Sequence, residues 1–284
     1  MNFNNQYRPG GFGGLPVVTK NIIIINVILY LATVLAESRG IDLVKYLGLH
    51  YFTAPDFRPH QFVTYIFMHG SLMHIFFNMF GVYIFGQVLE QVWGPKRYLI
   101  FYILTGFGAA LAQYIVIYFS VSDLVQSIDL VQTNLSDKTF TELFNSRDFS
   151  ARISREFIPD YESFVNQYNA ALNDGSPRAM ALASQFLLDY KHQFLNSQVI
   201  IGASGSLFGL LGAFGMLFPN RELYLYFFIP VKAKWLVIGY GAIELFSGWK
   251  NDPLDNVAHF AHIGGLVIGV ILVLIWRRDR NNFY

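Results

Sequence analysis

The residues of this sequence that could carry out chemistry are one serine between glycines and two pairs of polar residues in apolar surroundings. Ser204 lies within the glycine-rich stretch 202–209, at the beginning of a long apolar run. A hydroxyl is a weak nucleophile until a base takes its proton, and histidine can do so near neutral pH. By itself the serine is explained better by helix packing, because Ser and Gly are common where membrane helices meet. Its chemical interpretation therefore depends on the other polar residues.

Two polar pairs lie in other apolar runs. His74 and Asn78 are four residues apart and His259 and His262 are three apart, so each pair shares one face of its predicted helix. Polar groups inside a membrane span are costly and often mark a functional path. The predicted orientation brings both pairs to the outer half of the membrane, at a depth similar to that of Ser204. This convergence favours chemistry over structural hydrogen bonding.

Other kinds of site are disfavoured. The chain has no cysteine, which excludes disulfides, thiolate metal sites and thiol nucleophiles. A zinc site needs roughly three protein ligands, and the sequence has no His-Glu-x-x-His motif and no acidic residue near either histidine pair. We therefore expect no metal and no cofactor. Because no aspartate is evidently placed as a third member, a Ser–His dyad is the simplest arrangement.

The elements that must position these residues are predicted to be membrane-spanning helices. The chain of 284 residues is 54% hydrophobic and only 14% charged, whereas a soluble domain has about a quarter charged residues. Its net charge of +1 gives no reason to expect nucleic acid binding. The apolar runs predict six spans, at 22–36 with an extension from 15–18, 72–93, 98–119, 199–218, 235–246 and 257–276. The fold class is thus an all-α membrane protein, and segment 224–231 is expected to be interfacial.

The distribution of charge suggests an order of regions along the chain. Lys and Arg near the span ends predict that both termini are cytoplasmic. The predicted regions are a flexible cytoplasmic tail at 1–20, helices one to three at 21–120 with a long outer loop at 37–68, a mostly helical extracytoplasmic insertion at 121–198, helices four to six at 199–277, and a cytoplasmic tail at 278–284. The insertion carries more acidic than basic residues.

Three motifs give the chain a resemblance to the rhomboid family of intramembrane serine proteases. They lie in this order on predicted spans two, four and six: His69-Gly-Ser-Leu-Met-His74-Ile-Phe-Phe-Asn78, Gly202-Ala-Ser204-Gly205, and Ala261-His262-Ile-Gly264-Gly265 with Gly269. The resemblance covers most of residues 20–277 except the insertion, which departs from the minimal family plan. It implies a six-helix rhomboid-like bundle.

The resemblance also implies a role for each matching residue. Ser204 would be the nucleophile and His262 the general base, with His259 as the competitor that lacks the Ile-Gly-Gly context. His74 and Asn78, with the backbone N–H of Ser204, would form the oxyanion hole. Gly202 would set the geometry of the active-site loop, and His69 would be structural.

Glycines are expected to bring the catalytic pair together. Gly205 and Gly209 are four apart on span four, and Gly265 and Gly269 are four apart on span six. Such small-residue faces allow two helix backbones to approach closely. The approach would place His262 within hydrogen-bond reach of Ser204. Phe208, one turn beyond Ser204, either stacks on His262 or fills the core.

The resemblance finally implies an activity and a class of substrate. The protein would be a serine endopeptidase that cleaves the transmembrane helices of single-pass membrane proteins, in the lipid bilayer of a bacterial inner membrane. The substrate would enter near span five and loop 247–256, and an outward-facing cavity would admit water. One alternative is a catalytically inactive rhomboid-like protein that binds membrane helices; another is a small transporter or channel. The sequence does not determine the substrate or the oligomeric state.

Overall fold

The computed structural model describes residues 14–146, 149, 157–174, 177–225, 228–250 and 257–280. The chain divides into two compact units, the first formed by residues 1–49, 59–113 and 200–284 and the second by residues 50–58 and 114–199. Most of the predicted tails at 1–20 and 278–284, and residues 251–256 of the predicted entry loop, lie outside the described residues.

Helices form nearly all of the described secondary structure. The helices are α1 Val17–Glu37, α2 Leu43–Leu47, α3 Gln61–Thr64, α4 Leu72–Trp93, α5 Pro95–Thr133, α6 Asp137–Phe144, α7 Ile158–Asn173, α8 Arg178–Asn196, α9 Ser204–Leu217, α10 Ala233–Lys250 and α11 His259–Arg280. A 3₁₀ turn, Tyr65–Phe67, follows α3, and α4 contains a π-helical stretch, Val82–Gly86. The strands β1 Leu49–His50, β2 Val199–Ile200, β3 Glu222–Leu225 and β4 Ile229–Lys232 form two two-stranded sheets, β1–β2 and β3–β4.

The prediction of an all-α membrane protein is confirmed, whereas the number of six spans stays a prediction. Four of the described helices are long and apolar enough to cross a bilayer: Val17–Glu37, Leu72–Trp93, Pro95–Thr133 and His259–Arg277. Helix α9 is apolar but has only 14 residues, because the first residues of the predicted fourth span form β2 and a loop instead. Helix α10 has 18 residues, three of which are charged, and it is not among these four.

One predicted segment differs from the observed structure, and the interfacial position of another stays a prediction. The third span was expected to end at Phe119, but α5 continues to Thr133, since residues 120–133 contain no Gly or Pro to end the helix. Residues 224–225 and 229–231 of the other segment, 224–231, lie in two antiparallel strands, in which Tyr224 pairs with Pro230. Proline is tolerated there because a two-stranded sheet consists only of edge strands.

Glycines govern the packing around α9 in the first unit. A Cβ added to Gly265 would lie 1.9 Å from the carbonyl oxygen of Gly205, and one added to Gly269 would lie 2.6 Å from that of Gly209. On α5, the Cβ of Ala109 is 2.4 Å from where a Cβ on Gly205 would lie. Helix α9 is therefore in backbone-level contact with α11 and in close contact with α5, as small-residue interfaces in membranes allow.

A buried carboxylate holds the beginning of α1. Glu90, which is 4% exposed, accepts hydrogen bonds from the backbone N–H groups of Val18 at 2.9 Å and Thr19 at 2.7 Å, and from the Thr19 hydroxyl at 2.8 Å. The first N–H groups of a helix lack partners within the helix, and the helix dipole favours a negative charge at this end. Glu90 thus fastens α1 to α4.

The second unit is built on aromatic side chains. The buried rings of Phe164 and Phe186 stack with centroids 4.0 Å apart, and Phe149 lies 4.3 Å from Tyr190. Helix α8 begins at Arg178 directly after Pro177, and its residues Phe186, Tyr190 and Phe194 form the buried apolar stripe. The spacing of four residues brings these three rings to one face of the helix.

Candidate active site

Ser204 is the first residue of α9, and the loop before it has an unusual backbone. Gly202 has φ of +122°, a conformation that residues with a side chain rarely adopt. Its N–H donates to the carbonyl of Tyr65 at 2.9 Å, and the Tyr65 hydroxyl donates to the carbonyl of Gly106 on α5 at 2.6 Å. The loop is thereby fixed so that half-buried Ser204 begins the helix. Its own N–H belongs to the first turn, where backbone donors are unpaired within the helix.

His262 of α11 lies beside this serine. Its Nε2 is 2.7 Å from the Oγ of Ser204, within hydrogen-bond distance. The ring stacks on Phe208 of α9 with centroids 4.4 Å apart and planes 6° apart, which is the first of the two roles considered for this phenylalanine. Since His262 is only 8% exposed, the two contacts define both the position and the plane of its ring.

His74 and Asn78 share one face of α4, and His74 lies against the loop that precedes Ser204. The point where a Cβ on Gly202 would lie is 2.8 Å from the Nε2 of His74 and 3.7 Å from the Oγ of Ser204. Asn78 is 4% exposed, and its side-chain Nδ2 is among the buried donors with no hydrogen-bond partner within the described part of the chain. A buried unpaired donor is costly and is a feature of sites that bind a developing charge.

His69 precedes α4 and packs edge-on against His74, with ring centroids 4.9 Å apart. Burial, assisted by the neighbouring His74, lowers the pKa of the His69 imidazole to about 3. The side chain is 1% exposed. It is therefore neutral at physiological pH, and its contact with His74 fits the structural role expected for it.

The sequence analysis missed a carboxylate at this site. Glu244 of α10 has its Oε2 2.6 Å from the Nδ1 of His259 and 3.0 Å from the Nδ1 of His262. The expectation that no acidic residue lies near the histidines is therefore wrong. Proximity in sequence could not reveal it, because Glu244 comes from the preceding helix. The available signal was an ionisable residue inside the predicted span 235–246, which is itself a functional indication.

These three residues also form a possible metal-binding group. The ligand atoms of Glu244, His259 and His262 lie within 4.8 Å of one another. The separations of 2.6 Å and 3.0 Å between the carboxylate and the two imidazoles are hydrogen-bond lengths. Ligands around a tetrahedral Zn²⁺, with bonds of about 2.0–2.1 Å, would be roughly 3.3 Å apart. The observed spacing fits a carboxylate shared by two imidazoles better than a metal site.

Comparison with known proteins places this architecture in a family. The Rhomboid domain family matches residues 56–122 and 178–279, more than half of the chain. Curated relatives include Rhomboid-like protein 11, chloroplastic, from Arabidopsis thaliana, which is 38% identical over 96 residues, 34% of this chain and 32% of that protein. Rhomboid protein 1, mitochondrial, from Saccharomyces cerevisiae is 32% identical over 75 residues, 25% of this chain and 20% of that protein. The chain thus spans a third or less of the length of these relatives. Because the family matches more than half of the chain, including most of the predicted regions 21–120 and 199–277, the chain belongs to the rhomboid family.

Proposed function

We propose that this protein is an intramembrane serine endopeptidase in which Ser204 is the nucleophile and His262 the general base. The observation that carries the proposal is the 2.7 Å contact between the Ser204 hydroxyl and the Nε2 of His262. A nucleophile and a base within hydrogen-bond reach are the signature of nucleophilic catalysis. Helix packing through glycines explains how two helices distant in sequence bring these atoms together.

The reaction follows from this pair. As the Ser204 Oγ forms a bond to the carbonyl carbon of the substrate, its proton passes to the Nε2 of His262. The imidazolium then gives this proton to the leaving amine as the C–N bond breaks, which leaves an acyl-enzyme. Water attacks the acyl group and gives one proton to Nε2. When the ester bond breaks, that proton returns to Ser204 Oγ and the carboxyl product departs.

The oxyanion formed on the way needs donors, and we assign them to the Ser204 N–H, Asn78 and His74. The unpaired Nδ2 of Asn78 supports this assignment, as does the contact of His74 with the active-site loop at Gly202. The positive end of the α9 dipole adds to the stabilisation. One donor of this kind lowers the activation barrier by about 3 kcal/mol, which corresponds to a 10²–10³-fold increase in rate.

The proposed substrates are single-pass membrane proteins whose helix unwinds locally near the cut, because a peptide bond within a helix is shielded by its own hydrogen bonds. The enzyme acts in a membrane with both of its termini on the same side. Two of the relatives are named as a chloroplastic and a mitochondrial protein. These comparisons lend no support to a bacterial inner membrane, so the proposal is made for an integral membrane protein without a named compartment.

The test is labelling by a fluorophosphonate together with cleavage of a model transmembrane substrate in detergent. We expect the wild type to be labelled at Ser204, and Ser204→Ala or His262→Ala to abolish both signals. Asn78→Ala should slow cleavage by about 10²–10³-fold. Ser206→Ala is the matched control, because the Ser206 hydroxyl donates to the carbonyl of Tyr102 instead.

Labelling and cleavage that persist in Ser204→Ala would refute the mechanism. A folded wild type that is never labelled would favour the inactive, helix-binding alternative.

A further inference from the structure

Glu244 is an acidic residue in an apolar setting. It is the one acidic residue of α10, whose sequence is AKWLVIGYGAIELFSGWK, and it is 9% exposed. An ionised side chain in a membrane helix is costly unless it is paired. Here the partners are the two imidazoles of α11, and both face the same carboxylate oxygen, Oε2. The cost of burying the carboxylate is therefore offset at the candidate active site.

The carboxylate faces the ring nitrogen of His262 that the serine does not use. Nε2 of His262 contacts the Ser204 Oγ at 2.7 Å, and Nδ1 lies 3.0 Å from the Glu244 Oε2. For Nε2 to accept a proton, the neutral ring must carry its hydrogen on Nδ1. A carboxylate at Nδ1 selects this tautomer and stabilises the imidazolium that forms afterwards.

The contact between Glu244 and His262 is close but imperfectly aligned. Nδ1 of His262 has no hydrogen bond of acceptable angle within the described residues, although the distance to Oε2 is 3.0 Å. Hydrogen bonds at catalytic sites are often poorly aligned without substrate and tighten during the reaction. His259, by contrast, forms a well-aligned hydrogen bond of 2.6 Å to the same oxygen. His259 therefore holds the carboxylate in place for His262.

We infer that Glu244 is a positioning residue that acts through His262, so that the site is a Ser204–His262–Glu244 arrangement anchored by His259. This inference rests on the proposed function. In the acylation step the serine proton moves to Nε2 and an imidazolium–carboxylate pair forms, while Glu244 stays ionised. The proton then leaves from Nε2 to the amine, so Glu244 neither gains nor loses a proton.

The inference predicts how the Ser204 reaction responds to the charge of the Glu244 side chain. Among the described titratable groups, those facing His262 are Glu244 of α10, His259 of α11 and His74 of α4. Glu244 is the one carboxylate among these three. Removing its charge should slow the reaction, because the tautomer and the orientation of the His262 ring are no longer enforced. A shorter side chain that keeps the charge should retain part of the rate.

The experiment measures the rate of fluorophosphonate labelling of Ser204 in the full chain in detergent. For Glu244→Gln we expect a rate lower by about 10²–10³-fold, less than the ~10⁴-fold seen for a well-aligned triad acid. Glu244→Asp, which keeps the charge, should label at a rate between that of Glu244→Gln and that of the wild type. The matched control is Glu90→Gln, which alters a carboxylate that is also buried but serves to hold α1. It should lower the unfolding temperature and leave the labelling rate unchanged.

Each outcome decides the inference. A folded Glu244→Gln protein with the wild-type labelling rate overturns it, as does a Glu90→Gln protein whose labelling is slowed equally. If Glu244→Gln does not fold, Glu244→Asp withdraws the carboxylate by one methylene; slower labelling supports the inference and a wild-type rate overturns it. Failure of the proposed function is distinct, because the wild type itself would then show no labelling at Ser204.

Discussion

Replacing Gly265 by alanine tests whether the glycine interface sets the distance between serine and histidine. The added Cβ would lie 1.9 Å from the carbonyl oxygen of Gly205, whereas ordinary contacts begin at 3.4 Å. Helix α11 must therefore retreat from α9 by about 1.5 Å, a shift large enough to lower rates in a preorganised site. His262 is three residues before Gly265 and on the same face of α11, so it moves with the helix.

The effect on the site follows from the observed contact. A retreat of this size takes Nε2 of His262 from 2.7 Å to about 4 Å from the Ser204 Oγ, beyond the range of a hydrogen bond. A misplacement of about 1 Å can cost 10²-fold in rate, so we expect labelling by fluorophosphonate to fall by at least this factor. The free energy of unfolding should decrease by about 1–3 kcal/mol through overpacking.

The assay compares the labelling rate and the unfolding temperature of Gly265→Ala with those of Gly239→Ala. Gly239 is a suitable control because it lies within helix α10 and a Cβ there meets nothing within 4 Å. The control should label at the wild-type rate and be slightly more stable, since alanine favours the helix. A folded Gly265→Ala protein that labels as fast as the control would refute the claim that this interface sets the distance between Ser204 and His262.

Three further predictions concern the loop, the first helix and the pH dependence of stability. Gly202→Ala should slow labelling strongly, because its Cβ would meet the Nε2 of His74 at 2.8 Å and its positive φ strains any side chain. Gly40→Ala, with φ of +74° and open space around it, should not slow labelling, and equal effects would contradict the steric argument. Glu90→Gln should reduce the free energy of unfolding by about 1–3 kcal/mol by weakening the hold on α1, measured by thermal unfolding in detergent; a loss below about 0.5 kcal/mol would count against this capping role. His69 is held neutral in the folded state with a pKa of about 3 against an ordinary value of 6.5, so its contribution to stability is complete above pH 6.5 and is lost as the pH falls towards 3. As the pH falls through this window, the unfolding temperature of the wild type should thus decrease more steeply than that of His69→Gln. Parallel curves of unfolding temperature against pH would contradict this explanation.

Local patterns were sufficient for most of the membrane helices. The second apolar run predicted Leu72–Trp93 with the observed bounds, because a long apolar segment in lipid must satisfy its backbone as a helix. The prediction for the fourth apolar run, 199–218, was less accurate. Gly202 has a positive φ, so helix α9 begins only at Ser204. An apolar run predicts which segment favours a lipid environment, but it does not predict the residue at which the backbone turns and the helix begins.

The sequence by itself determined that this is a membrane protein with a serine and histidines in apolar runs, and its three motifs indicated the rhomboid family. These are properties of composition, spacing and order, which are legible along a single chain. Only the tertiary structure decided which histidine nitrogen faces Ser204, and that Glu244 of α10 contacts His259 and His262 of α11. A carboxylate placed by the rotation and depth of a neighbouring helix leaves no periodic signal in the sequence, because helix–helix registration depends on side-chain packing between segments.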